Sequence, residues 1–132
     1  MPMTQRPTDR GGKKLILVID DDANLAKIMR RFLENAGYAT VYADNGFEAG
    51  VRLVYYDPDL ITLDIKMPEM DGEEVLACIR RTDYLSHLKV MVVSGLDEEI
   101  LKGCVARGAN DFLRKPFTNQ ELLAKVQALT AD

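Results

Sequence analysis

The stretch Leu60-Ile61-Thr62-Leu63-Asp64-Ile65-Lys66-Met67-Pro68-Glu69-Met70-Asp71-Gly72 decides how the rest of the chain is read. Four apolar or β-branched residues run into a single carboxylate, and a proline and an Asp-Gly pair follow as loop signals. A short apolar run bounded by turn chemistry predicts a buried strand, with Asp64 where the strand meets its loop. Working outward, residues 14–19 form a second continuous run, Leu15-Ile16-Leu17-Val18-Ile19 after one lysine, ending in Asp20-Asp21-Asp22. Runs this apolar suit strands buried on both faces, as in parallel sheets covered by helices.

Between and beyond these strands the period changes to that of a helix. Leu25, Ile28, Met29, Phe32, Leu33 and Ala36 predict an amphipathic helix, stopped by Gly37. Residues 38–43 read as a strand, and Phe47, Val51 and Val54 support a helix after the Asp44-Asn45-Gly46 turn. Residues 73–81 form a helix with Val75, Leu76 and Ile79 inward, and residues 89–93 a strand closed by Ser94-Gly95. The helix over 97–107 carries Ile100, Leu101, Cys104 and Val105 on one face, with Gly108 after it. A short strand at 111–114 is broken by Lys115-Pro116-Phe117. Thr118-Asn119-Gln120-Glu121 is a capping box, and Leu122, Leu123, Val126 and Leu129 complete the last helix. Strand and helix alternate five times, which predicts an α/β domain with a parallel sheet and helices on both faces.

The chain has 132 residues, the size of one domain, with 47% hydrophobic and 29% charged residues. A net charge of −4 runs against a nucleic-acid-binding surface, so no direct nucleic-acid contact is expected. Residues 1–13 read as a polar, disordered leader and 14–130 as the folded domain. Without a signal-peptide core or a spanning apolar run, the reading is a cytoplasmic protein with no membrane segment. Cys78 and Cys104 show no metal spacing and are expected as small core or near-core residues. His87, the sole histidine, is expected at the surface, away from the acidic edge.

The strand ends carry the chemistry. Asp20, Asp21 and Asp22 follow the first strand, Asp64 the third, Ser94 the fourth and Lys115 the fifth, all at one edge of a parallel sheet. Carboxylates gathered there repel one another unless a hard cation intervenes, and magnesium suits oxygen ligands of this kind. A lysine and a hydroxyl beside such a cation form a phosphoryl site, with Asp64 as a nucleophile that needs no deprotonation.

On these residues the chain resembles the receiver domains of bacterial two-component response regulators, and of those the single-domain chemotaxis-regulator type. The match rests on Asp20-Asp21, on the whole Leu63 to Gly72 stretch, on Ser94-Gly95 and on Lys115-Pro116-Phe117, and covers about residues 14–129. The resemblance implies a doubly wound (βα)5 flavodoxin-like three-layer sandwich with strand order 2-1-3-4-5. It implies that Asp64 is the phosphoacceptor, with Ser94 and Lys115 contacting the phosphoryl group. Asp20, Asp21, Asp64 and the backbone carbonyl of Lys66 would form the metal site for Mg2+, with Mn2+ as a substitute. Ser94 and Phe112 would be the switch pair, and Pro116 would follow a cis peptide. Asp22 is an outer-shell candidate, and the Lys66 side chain is placed near the phosphate region.

The implied partners are a sensor histidine kinase or phosphotransfer protein upstream, and a downstream effector protein or effector domain. The output surface would be the fourth helix, fifth strand and fifth helix. Self-association of two copies through that surface is open, with no sequence feature that selects it. The chain would be no enzyme beyond catalysing its own phosphorylation and dephosphorylation. The rival reading is a magnesium-dependent hydrolase of the haloacid-dehalogenase type, which shares the aspartate nucleophile. That type requires a second aspartate two residues on, where this chain has Lys66.

Overall fold

The computed structural model describes residues 11–67 and 71–131. Most of the leader assigned to 1–13, and residues 68–70 of the loop after Asp64, lie outside the described residues. The elements run β1 (Leu15–Ile19), α1 (Ala23–Asn35), β2 (Ala39–Ala43), α2 (Gly46–Tyr56), β3 (Leu60–Leu63), α3 (Gly72–Arg81), β4 (Lys89–Ser94), α4 (Glu98–Ala106), β5 (Asp111–Arg114) and α5 (Asn119–Thr130). A single 3-10 turn, Asp83–Leu85, links α3 to β4. The strands form one parallel sheet in the order β2-β1-β3-β4-β5, as the resemblance implied.

Alternation along the strands divides the core in two. Leu17, Ile19, Ile61, Leu63, Val90 and Val92 face α2, α3 and α4 through Ala49, Leu53, Val75, Leu76, Ile79, Leu101 and Cys104. Ile16, Val18, Leu60, Met91 and Val93 face α1 and α5 through Ala26, Met29, Leu33, Leu122 and Val126. All five residues of β1 and all four of β3 are buried, which fixes these strands at the centre of the sheet.

The helix ends follow local chemistry. Asp22, Asn45 and Asp71 accept from backbone amides at the starts of α1, α2 and α3. The capping box is formed in both directions: the Thr118 amide donates to Glu121 at 2.9 Å, and the Glu121 amide donates to Thr118 Oγ1 at 3.1 Å.

In three helices the apolar residues that revealed the helix do not all face the core. In α2, Phe47, Val51 and Val54 are exposed by 80%, 51% and 51%, and Ala49 and Leu53 are the buried pair. The helix exists, but the core contacts Ala49 and Leu53 on its other side. In α4, Leu101 and Cys104 are buried while Ile100 and Val105 lie toward solvent, and in α1 Ile28 is exposed. Cys78 is also exposed, on the outer side of α3, which corrects its reading as a near-core residue. A periodic apolar set identifies a helix, yet the side that meets the sheet is fixed by the crossover that precedes it.

Two interior features carry predictions. Thr62 lies in register between Val18 and Met91 on the α1/α5 side, and its Oγ1 is buried without a partner among the described residues. An unpaired buried hydroxyl is destabilising, so Thr62→Val should raise stability by about 1 kcal/mol in chemical denaturation. Arg80 ties the α3–β4 and α4–β5 connections together. Its Nε donates to the Gly108 carbonyl at 2.8 Å, and its terminal nitrogens donate to Ser86 O at 3.0 Å, Leu88 O at 2.7 Å and Asn110 Oδ1 at 3.0 Å. Arg80→Ala takes this donor from three backbone carbonyls and leaves Asn110 Oδ1 only the Val90 amide, and it should cost about 2–4 kcal/mol, read from the same denaturation midpoint.

Candidate phosphoryl-transfer site

The carboxyl end of the sheet collects its polar residues because four strands, β1, β3, β4 and β5, end at one edge. Asp64 follows β3, and its amide donates to the Ile19 carbonyl at 3.0 Å, so the end of β3 is pinned to the end of β1. The Asp20 amide donates to Ala43 O at 3.2 Å and extends the ladder toward β2. Lys115 follows β5, and its amide donates to Ser94 O at 2.8 Å, which ties the ends of β4 and β5. The peptide between Lys115 and Pro116 is cis.

Asp20, Asp64 and Ser94 are buried, while Asp21 is exposed. Carboxylate oxygens of Asp20, Asp21 and Asp64 lie within 4.8 Å of one another. Lys115 Nζ donates to Asp20 Oδ2 at 2.9 Å and approaches Asp64 Oδ2 at 3.4 Å. The Lys66 amide donates to Asp64 Oδ1 at 3.2 Å, and the Asp22 amide donates to Asp20 Oδ1 at 2.9 Å. Each buried carboxylate is thus held by one backbone donor and shares the ammonium of Lys115.

Burial raises the pKa of Asp64 above the ordinary carboxylate value. The Lys115 charge and the Lys66 amide oppose that rise, and Asp20 adds to it. For Lys115, burial acts downward, but the hydrogen bond to Asp20 and the charges of Asp20 and Asp64 outweigh it and the net shift is upward. The site therefore combines a carboxylate reluctant to carry its charge alone with a lysine firmly protonated. Such a pocket favours any further cation or an incoming phosphoryl group that redistributes the Lys115 contact.

The structure brings Asp20, Asp21, Asp64 and Lys115 together and puts Ser94 at the adjoining strand end. The Ser94 hydroxyl accepts from the Leu96 amide at 3.3 Å. The Asp22 side chain accepts from the Leu25 amide at 3.1 Å and caps α1, while its amide supports the Asp20 carboxylate. Phe112 is half-buried against the α2/α3/α4 side of the core. His87 is exposed at the opposite end of the sheet, in a 250 Å³ cavity with Lys14, Asp57 and Asp59.

Three contributors were not singled out for their roles from sequence. Tyr42 donates its hydroxyl to the Asp20 carbonyl at 2.8 Å and holds the turn after β1. Burial raises the Tyr42 pKa, helped by Asp44 and Asp20, so the phenol stays a donor. Lys125 of α5 sits 5.3 Å from the Phe112 ring centroid and ion-pairs with Asp111 at 3.0 Å. Gly72 packs on the backbone of the loop itself. A Cβ there would lie 2.4 Å from Asp64 O and 2.5 Å from Ile65 Cα, and the Gly72 amide donates to Ile65 O at 2.8 Å. The Asp-Gly pair announced a turn, but no local pattern announces contact with the peptide of Asp64.

The family model for the response regulator receiver domain matches residues 16–127. The chain is 34% identical over 117 residues to the alkaline phosphatase synthesis transcriptional regulatory protein PhoP of Bacillus subtilis (strain 168), covering 88% of this chain and 48% of that protein. It is 40% identical over 116 residues to the response regulator MprA of Mycobacterium sp. (strain KMS), covering 86% of this chain and 49% of that protein. The chain thus spans about half the length of these curated relatives. A solved response regulator signal receiver domain from Bermanella marisrubri is 40% identical, with a TM-score of 0.83 over 89% of this chain and 98% of that one.

Proposed function

Because the chain belongs to the response regulator receiver family, we propose that it is a phosphorylation-activated switch in which Asp64 takes a phosphoryl group from a phosphohistidine. The donor is a sensor histidine kinase or a phosphotransfer protein. An Asp64 carboxylate oxygen attacks phosphorus, the P–N bond breaks, and the histidine nitrogen keeps the bonding pair. The observation that carries this reading is the Lys115 ammonium shared between the buried carboxylates of Asp20 and Asp64. That ammonium is already placed to follow charge as it moves onto a phosphoryl oxygen.

The donor set also fits a hard divalent cation. Three carboxylates offer oxygens within 4.8 Å of one another, two of them on buried residues. Asp20, Asp21 and Asp64, with the Lys66 carbonyl, would hold Mg2+, or Mn2+ in its place. When bound, the ion neutralises charge on the phosphoryl oxygens. Ser94, at the end of β4, donates its hydroxyl to the phosphoryl group, giving up the Leu96 contact geometry seen here. Phe112 follows, and its departure from the Lys125 contact alters the α4–β5–α5 surface that an effector reads.

The residue two positions past Asp64 is Lys66, whose amide faces the carboxylate, so the site lacks the second acid that a phosphoester hydrolase uses. The chemistry of the chain is then confined to its own phosphorylation and dephosphorylation. Among the described residues no helix is long and apolar enough to cross a membrane. We place the chain with its phosphodonors in the cytoplasm.

Labelled acetyl phosphate with magnesium tests the proposal. The wild type should take up one equivalent and Asp64→Asn none. An unlabelled wild type overturns the switch reading, and steady hydrolysis of many equivalents of a phosphate monoester, a substrate that the switch does not use, restores the hydrolase.

A further inference from the structure

The outward face of α2 is apolar. Phe47, Val51 and Tyr55 are exposed by 80%, 51% and 40%, with Val54 beside them at 51%. At about 100° per residue these side chains share the half of the helix turned away from Ala49 and Leu53, and Gly50 lies at its border. Between Gly46 and Tyr56 the charged residues are Glu48 and Arg52, both on one flank of that face and 3.9 Å apart. Surface helices ordinarily place their charges outward and their apolar residues inward. Here the charges stand at the border and the large apolar groups at the crest.

Gly50 adds an independent observation. It lies mid-helix, where glycine is disfavoured relative to alanine. A Cβ at Gly50 would meet nothing within 4 Å, so packing inside this chain does not require a glycine there. A glycine at the border of an exposed apolar face leaves room on that flank for another helix.

We propose that two copies of this chain associate through α2, crossing antiparallel about a two-fold axis at Gly50. The charges select this occupant. In such a pair, residues whose numbers sum to twice the crossing position lie level with each other. Glu48 then stands level with the partner's Arg52, and Arg52 with the partner's Glu48, on the same flank of the contact. The two intrachain pairs become a ring of four alternating charges. Phe47 then lies beside the partner's Val54. One helix face is smaller than the roughly 800 Å² per partner of a stable interface, so the association is weak, with a dissociation constant in the range of about 10–500 µM. It is separate from the α4–β5–α5 surface and does not depend on phosphorylation.

Sedimentation of the full chain, from well below to well above that range, tests the proposal. The wild type should pass from monomer to dimer, and Asp64→Asn should behave identically. Phe47→Glu should raise the dissociation constant at least about tenfold. Gly50→Leu should do the same while leaving the monomer's melting temperature unchanged or higher, which separates loss of contact from loss of fold. Glu48→Arg and Arg52→Glu should each weaken the dimer, and the double exchange should restore it. A chain that stays monomeric throughout overturns the proposal. So does a dimer that survives Phe47→Glu, or a double exchange that fails to restore association.

Discussion

Replacing Gly72 with alanine should destabilise the domain by on the order of 3 kcal/mol and sharply lower phosphoryl uptake by the fraction that remains folded. Gly72 opens α3, where alanine is the better helix former by about 1 kcal/mol, so propensity alone predicts a gain. The added methyl would stand 2.4 Å from Asp64 O and 2.5 Å from Ile65 Cα, inside any permissible contact. These are backbone atoms, which cannot swing aside as the end of a side chain can. Relief requires moving either α3 or the peptide that carries the nucleophile. Urea denaturation measures the first consequence and acetyl phosphate labelling the second. Gly95→Ala is the control: its methyl would meet Lys115 Cβ at 4.0 Å, an ordinary contact, and should shift stability by less than about 0.5 kcal/mol.

Asp64→Asn should melt at a higher temperature than the wild type in metal-free buffer near neutral pH, although it removes the proposed nucleophile. Burial is the largest influence on Asp64, and its net effect is to raise the folded-state pKa above 3.8. A carboxyl that holds its proton more tightly folded than unfolded loses stability as pH rises through that interval, and the loss persists above it. Asparagine carries no such penalty, so its advantage should be present at pH 7 and shrink as pH falls toward 3.8 and below. Magnesium should reverse the order. At a hundred times its dissociation constant a ligand of the folded state adds about 2.7 kcal/mol, which the wild type should gain and Asp64→Asn largely forgo. Thermal melts at two pH values, with and without magnesium, give all four comparisons. A wild type indifferent to saturating magnesium contradicts the metal assignment.

The alternation of apolar runs with helical periodicity defined five strands and five helices to within a residue or two at most ends. Asp64, Ser94 and Lys115 were legible as site residues because each directly follows a strand, and parallel strands deliver their carboxyl ends to one edge. The Thr118 and Glu121 capping box was legible because all of its partners lie within four residues.

What the sequence could not reveal depends on distances through space. Phe47, Val51 and Val54 repeat as a helical stripe, but a stripe carries no label for which side the sheet will meet. The crossover from β2 to β3 turned Ala49 and Leu53 inward. Asp22 follows two site carboxylates, and its side chain caps α1 at the Leu25 amide while its own amide bonds Asp20. Arg80 gathers partners up to 30 positions away, and Lys125 meets a ring on a neighbouring strand. By itself the sequence determined the order of elements and which strand ends carry charge, since both follow from local periodicity and chain direction. Only the tertiary structure decided which helix faces are buried, where Lys115 places its proton donors, and why residue 72 has no side chain. Those outcomes are set by packing between segments remote in the chain.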